Sequence, residues 1–111
     1  MNDKSEYKDT FSFYIYKLKQ INENDFEIEY IKPVDIPIWL AEKTFIKNWS
    51  YEKIVFETQK AFRFEGKNYK GEDKWIAKSQ LEVGSTYTES DEFYRTHKNS
   101  IKEKESDLFI I

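Results

Sequence analysis

The chain holds 111 residues, a length suited to one domain, with no cysteine, a net charge of −3 and a mean hydropathy of −0.84. Disulfides and thiolate metal sites are thereby excluded, and no apolar stretch approaches the ~20 residues that a bilayer-spanning helix needs. The acidic balance also argues against wholesale wrapping by nucleic acid, whose affinity comes from neutralised phosphates.

Aromatic residues make up 18% of the chain: nine Phe, eight Tyr and three Trp. Each buries roughly 150–250 Å2, so a few suffice for one core. The surplus is left half-exposed, where aromatics make good contact residues. The first ten residues are polar and carry no signal-peptide-type apolar run. Together with the absence of cysteine, this gives a cytoplasmic protein as the expectation.

In chain order, residues 1–10 lack periodicity and read as a flexible arm. Phe11–Gln20 reads as a strand with Phe11, Phe13 and Ile15 on one face and Tyr14, Tyr16 and Leu18 on the other. Asn22-Glu23-Asn24-Asp25 is turn chemistry, and Phe26–Lys32 alternates again, which predicts a hairpin. Pro33 and Pro37 are expected to end that strand. A short helix follows over about Ile38–Lys43, with Asp35 as its candidate N-cap and Trp39, Leu40, Lys43, Phe45 and Ile46 packed inward.

Tyr51–Thr58 reads as a strand with Ile54 and Phe56 sharing a face, and Gln59-Lys60 as a bend. Ala61–Glu65 follows with Phe62 and Phe64 inward and Arg63 outward. Gly66-Lys67-Asn68 and Lys70–Asp73 are turns around Tyr69. Lys74–Ala77 predicts a strand, Lys78-Ser79-Gln80 one tight helical turn, and Leu81–Val83 a final strand. Trp75 is read as core. Beyond Ser90 the chain is polar, and either a helix over Asp91–Lys104 or a solvated linker precedes the apolar tip Leu108–Ile111. The expected organisation is an arm over 1–10, a small β-barrel over 11–84 and a charged segment over 85–111. The fold class is all-β or β-rich α+β, a five- to six-stranded barrel with one short helix and a C-terminal extension.

Two segments carry a resemblance. Asp35-Ile36-Pro37-Ile38-Trp39-Leu40-Ala41-Glu42-Lys43, with Thr58-Gln59-Lys60-Ala61 and Trp75-Ile76-Ala77-Lys78-Ser79-Gln80-Leu81, resembles a family of small, mostly uncharacterised prokaryotic, viral and plasmid proteins. In that family a Pro-x-Trp-Leu element precedes a strand opening near Lys-Ala, and a Trp-Ile-Pro-Lys-Ser-Gln-Ile element closes the domain. Here Ala77 stands for the family's Pro, which leaves the turn less rigid, and Leu81 stands for its Ile. The resemblance implies a mobile-element or nucleic-acid-metabolism setting and carries over no catalytic residue. The closing element is also similar, at the level of fold alone, to the last strands of Src-homology-type barrels.

Catalytic chemistry finds little support. His97 is the single histidine, in a charged segment, and reads as a surface residue; with no cysteine, no metal site is expected and no cofactor is assigned. Ser79 has no neighbouring base, and Gly66 and Gly71 form no phosphate loop. The adjacent carboxylates Glu27 and Glu29 read as a solvated strand face. With Asp3, Glu6, Asp9, Glu23 and Asp25 they also offer an acidic surface suited to a basic groove on a nucleic-acid enzyme.

The expectation is therefore a non-catalytic binding protein, mobile-element encoded. It docks on a protein of nucleic-acid metabolism or host defence through Tyr14, Tyr16, Glu27, Glu29, Leu108 and Phe109. Glu105–Phe109 resembles the bacterial sliding-clamp-binding peptide at Asp107, Leu108 and Phe109, with Glu105 in place of its Gln. The alternative is single-stranded nucleic acid held by Arg63, Tyr69, Lys70, Lys74 and Lys78. Residues 60–78 hold six basic and three acidic side chains, a local +3 on an acidic chain. No membrane partner is expected, and either a monomer or a strand-paired homodimer fits.

Overall fold

The computed structural model describes residues 9–66 and 72–106. Among these, the elements are β1 (Thr10–Gln20), β2 (Phe26–Pro37), α1 (Ile38–Thr44), β3 (Tyr51–Glu57), β4 (Ala61–Phe64), β5 (Lys74–Ala77), β6 (Glu82–Val83) and α2 (Tyr94–Lys104). A 3-10 turn, Lys78–Gln80, joins β5 to β6. The strands form one mixed sheet in the order β5-β4-β3-β1-β2-β6, antiparallel throughout except where β3 lies parallel to β1. That parallel pair needs a crossover, which β2 and α1 provide.

The expected barrel is corrected to an open sheet. β5 and β6 are its two outer strands, and no ladder joins them. Only four residues separate Ala77 from Glu82, a reach of at most about 18 Å at full extension. The sheet must therefore curl until its edges approach. Closure is nonetheless absent: β6 is only two residues long and pairs with Val34 and Asp35 of β2 alone.

The β1–β2 hairpin forms where alternation places it. Its turn is closed by Asn22, whose Oδ1 accepts the N–H groups of Asn24 and Asp25 at 2.9 and 3.0 Å. The prolines do not end β2, which continues to Pro37. The carbonyl of Pro33 accepts the Gly84 N–H at 2.8 Å, so its missing donor faces the β6 side of the strand. Pro37, four residues on, points the same way, and there the partner strand is only two residues long. Asp35 is likewise not a helix cap. It sits within β2 and accepts the Ser12 hydroxyl at 2.7 Å, while Pro37 occupies the N-cap of α1 without a side-chain bond.

Strand β1 is buried on both faces. Phe13 and Ile15 join Val34, Ile36, Leu40, Ala41, Ile46, Ile54, Phe62, Phe64, Ile76 and Leu81 in the main core. The opposite face, with Tyr16 and Ile31, is covered by Ile101 of α2, flanked by Tyr14, Leu18, Tyr51, Tyr87 and Tyr94. Each such side chain contributes roughly 1.5–3 kcal/mol on burial, so the second layer is as real a part of the fold as the first. The C-terminal region thus contains the helix that its stripe of apolar residues allows, and α2 packs on the outer face of the sheet.

Two expectations about side-chain direction are corrected. Trp39 and Phe45 are exposed, and only Leu40, Ala41 and Ile46 of that region turn inward. In β3 the register shifts between Ile54 and Phe56, so Ile54 pairs with Phe64 while Phe56 pairs with Arg63. The extra residue, Val55, breaks the two-residue period and turns Phe56 to the outer face.

Candidate functional site

The residues expected to contact a protein partner do not converge. Tyr16 is 0% exposed, and its hydroxyl donates to Glu105 just beyond α2. Burial first, and then the Glu105 carboxylate, push the Tyr16 hydroxyl far above its ordinary range. Tyr14 is half-buried beneath α2 and stacks on Tyr51 with ring centroids 5.1 Å apart. Glu27 and Glu29 are exposed near the hairpin, and Glu29 pairs with Lys17 at 3.2 Å. Leu108 and Phe109 lie outside the described residues, as do Tyr69 and Lys70.

Of the basic set, Arg63, Lys74 and Lys78 are described, and each is engaged. Arg63 pairs with Asp73 at 3.1 Å, and Lys78 with Glu57 at 2.5 Å. The Glu57 carboxylate also accepts the Tyr30 hydroxyl at 2.8 Å. Burial alone would raise the Glu57 carboxyl, but the bonds from Lys78 and Tyr30 outweigh it and hold the group below its usual range. Lys74 points to the core side, opposite Phe64. Its Nζ is enclosed 5.1 Å from the centroid of the Phe45 ring, without a hydrogen-bond partner among the described residues.

What the sheet does assemble is a cross-strand row on its outer face: Phe56 on β3, Arg63 on β4 and Trp75 on β5. Trp75, expected in the core, is 52% exposed, as is Phe56, and the Arg63 side chain is 45% exposed. The Phe56 and Trp75 rings meet edge-on at 6.1 Å and 78°. The guanidinium of Arg63 lies over the indole, 6.0 Å from its centroid. Three paired strands fix the backbone positions from which these side chains project. Trp and Arg are the residue types that dominate binding energies when enclosed by a partner.

A second cluster was missed from sequence. His97, expected at the surface, is buried in α2. Its ring lies 4.3 Å from Tyr14 and 5.0 Å from Tyr87, and its Nδ1 is 2.7 Å from the Tyr51 hydroxyl. Burial holds its pKa below 6.5. Surrounding π-faces favour an imidazolium by about 0.5–2 kcal/mol. Desolvating a charge costs several kcal/mol, so the neutral ring wins. The only signal for this packing was the spacing of Tyr94, His97 and Ile101 at helical intervals.

Among the described residues, no group of three or more His, Asp or Glu could hold a metal ion, and no helix is long and apolar enough to cross a membrane. No protein-family model, no functionally characterised protein and no solved structure matches this chain.

Proposed function

We propose that this protein is a non-catalytic binding module that docks on another protein through the outer face of β3, β4 and β5. Phe56, Arg63 and Trp75 form the centre of the contact. The observation that carries the reading is the exposure, on one rigid strand surface, of two large aromatic rings and the cation between them. Such rings are left in water at a cost that a partner's surface removes.

Protein is favoured over nucleic acid by the state of the described cations of the basic set, Arg63, Lys74 and Lys78. Tracking phosphates needs several uncommitted positive charges. Here Arg63 and Lys78 are neutralised by Asp73 and Glu57, and the Lys74 ammonium is enclosed. One face of Trp75 is moreover occupied by Arg63. A partner from nucleic-acid metabolism or host defence is in keeping with the setting that the resemblance of the 35–43, 58–61 and 75–81 segments to small prokaryotic, viral and plasmid proteins implies.

The test compares capture from host extract by the wild type and by an Arg63→Ala/Trp75→Ala double variant, alongside titration of a labelled single-stranded oligonucleotide. The proposal predicts a captured protein lost in the variant, and no oligonucleotide binding at low salt. Oligonucleotide binding that weakens steeply with salt and depends on Arg63 would replace it with the nucleic-acid reading.

A further inference from the structure

We propose that α2 is an acid-released clasp: protonation of His97 frees Tyr94–Lys104 from the sheet and uncovers Tyr14 and Tyr51. This does not depend on the docking role of the Phe56–Arg63–Trp75 row.

The geometry supplies the argument. The helix is polar overall, and His97 and Ile101 are its two buried residues. His97 is one of several fastenings, beside Ile101, the bond from Lys104 to the Tyr51 carbonyl and the bond from Tyr16 to Glu105. Its surroundings come from three elements: Tyr14 of β1, Tyr51 of β3 and Tyr87 of the segment leading into α2. All three are neutral phenols, and none supplies a counter-ion. No carboxylate is paired with the imidazole among the described residues.

The charged groups on these elements are engaged elsewhere or carry the wrong sign. On α2, Lys98 follows His97 in the chain, and Lys104 donates to the Tyr51 carbonyl. Ahead of the helix, Asp91 accepts the Thr88 N–H. On β3, Lys53 pairs with Glu105 at 3.6 Å, and on β1, Lys17 pairs with Glu29. An imidazolium formed in this slot would keep the Tyr51 hydroxyl as acceptor for its Nδ1–H, but it would be buried with no carboxylate beside it among the described residues.

The sign of the effect follows. Burial depresses the pKa of the docked ring below 6.5, and a released helix restores it. The released state therefore binds the proton more tightly, and acid favours release. The effect begins as pH falls below 6.5 and is complete once pH has passed the docked value. Glu105, which bonds Tyr16 and Lys53, is a second fastening at the end of α2, and the experiment must separate the two.

Amide hydrogen exchange of the full chain, corrected for intrinsic rates, is followed from neutral pH down to about pH 5. The His97 ring is titrated in parallel by NMR. The expected result is at least a ~10-fold loss of protection over 94–104 while β1 and β2 stay protected. Its midpoint coincides with the His97 titration. His97→Phe holds protection flat across the range, whereas Glu105→Gln keeps the wild-type profile. Three results would overturn the proposal: a wild-type helix still protected at the acid end, a release midpoint that departs from the His97 titration, or a His97→Phe variant with the wild-type pH dependence. Should His97→Phe fail to fold, the coincidence or separation of the two wild-type midpoints decides the matter.

Discussion

Arg63 and Trp75 face each other across the β4–β5 ladder, with the guanidinium 6.0 Å above the indole and its other side held by Asp73. The arginine thus stands pre-oriented beside the exposed ring. If this pair anchors a partner, truncating either residue to alanine should weaken binding by about 2 kcal/mol or more, roughly 30-fold. Both positions are half-exposed and in contact with each other, so the loss of folding stability should stay near ~1 kcal/mol, below the loss in binding. Isothermal titration against the captured partner, with denaturation curves on the same samples, measures both quantities.

Ile54 and Phe56 provide a test of the bulge. With Ile54 in the core and Phe56 outside, Ile54→Ala should cost about 2–5 kcal/mol in urea denaturation. Phe56→Ala should cost well under about 1 kcal/mol despite removing the larger side chain. Equal losses would show that the register runs through without the extra residue.

Gly84 approaches β2 more closely than any side chain permits. A Cβ built there would lie 2.6 Å from Cγ of Pro33. Gly84→Ala should therefore destabilise by about 1–3 kcal/mol, whereas Ser85→Ala, at the exposed neighbouring position, should be near neutral. The comparison checks that β6 is seated on β2 in the described register.

Glu57 gives an acid-dependent contribution of known sign. Its folded pKa lies below the ordinary 4.5. The stability it adds is therefore fully present above that value and is lost as pH falls through the folded pKa. The difference in unfolding free energy between wild type and Glu57→Gln should be largest near neutrality and shrink towards acid. A difference that stays constant would place Glu57 outside the Lys78–Tyr30 cluster.

Lys74 carries an enclosed ammonium with no hydrogen-bond partner among the described residues. Replacing such a group with an apolar one of similar shape removes a desolvation cost of about 1–3 kcal/mol. Lys74→Met should leave stability unchanged or raise it. A marked loss would mean that the cation over Phe45 contributes more than its burial costs.

The local architecture was largely legible in the sequence. Alternation in Phe11–Gln20 and Phe26–Lys32, with Asn and Asp at the turn, was enough for the hairpin. The Lys78-Ser79-Gln80 turn between two short strands was also readable. The outer site was not, for two reasons. Strand β5 is only four residues long, with Trp75 and Ile76 adjacent, and alternation alone does not say which of the two faces inward. The Val55 bulge shifts phase in mid-strand, which no single-sequence period detects. His97 was hidden by its charged neighbours, because its slot is assembled from Tyr14, Tyr51 and Tyr87, which lie far apart in the chain. Barrel closure was over-read from a turn that links two sheet edges without pairing them.

The most direct test of the docking face places a photoreactive phenylalanine analogue at Phe56 and, separately, at Phe93, a similarly exposed ring in the turn before α2. Irradiation in host extract should give one discrete protein adduct from position 56 and none from position 93. An adduct from position 93 alone, or from both positions equally, would contradict the assignment of binding to the outer face of β3, β4 and β5.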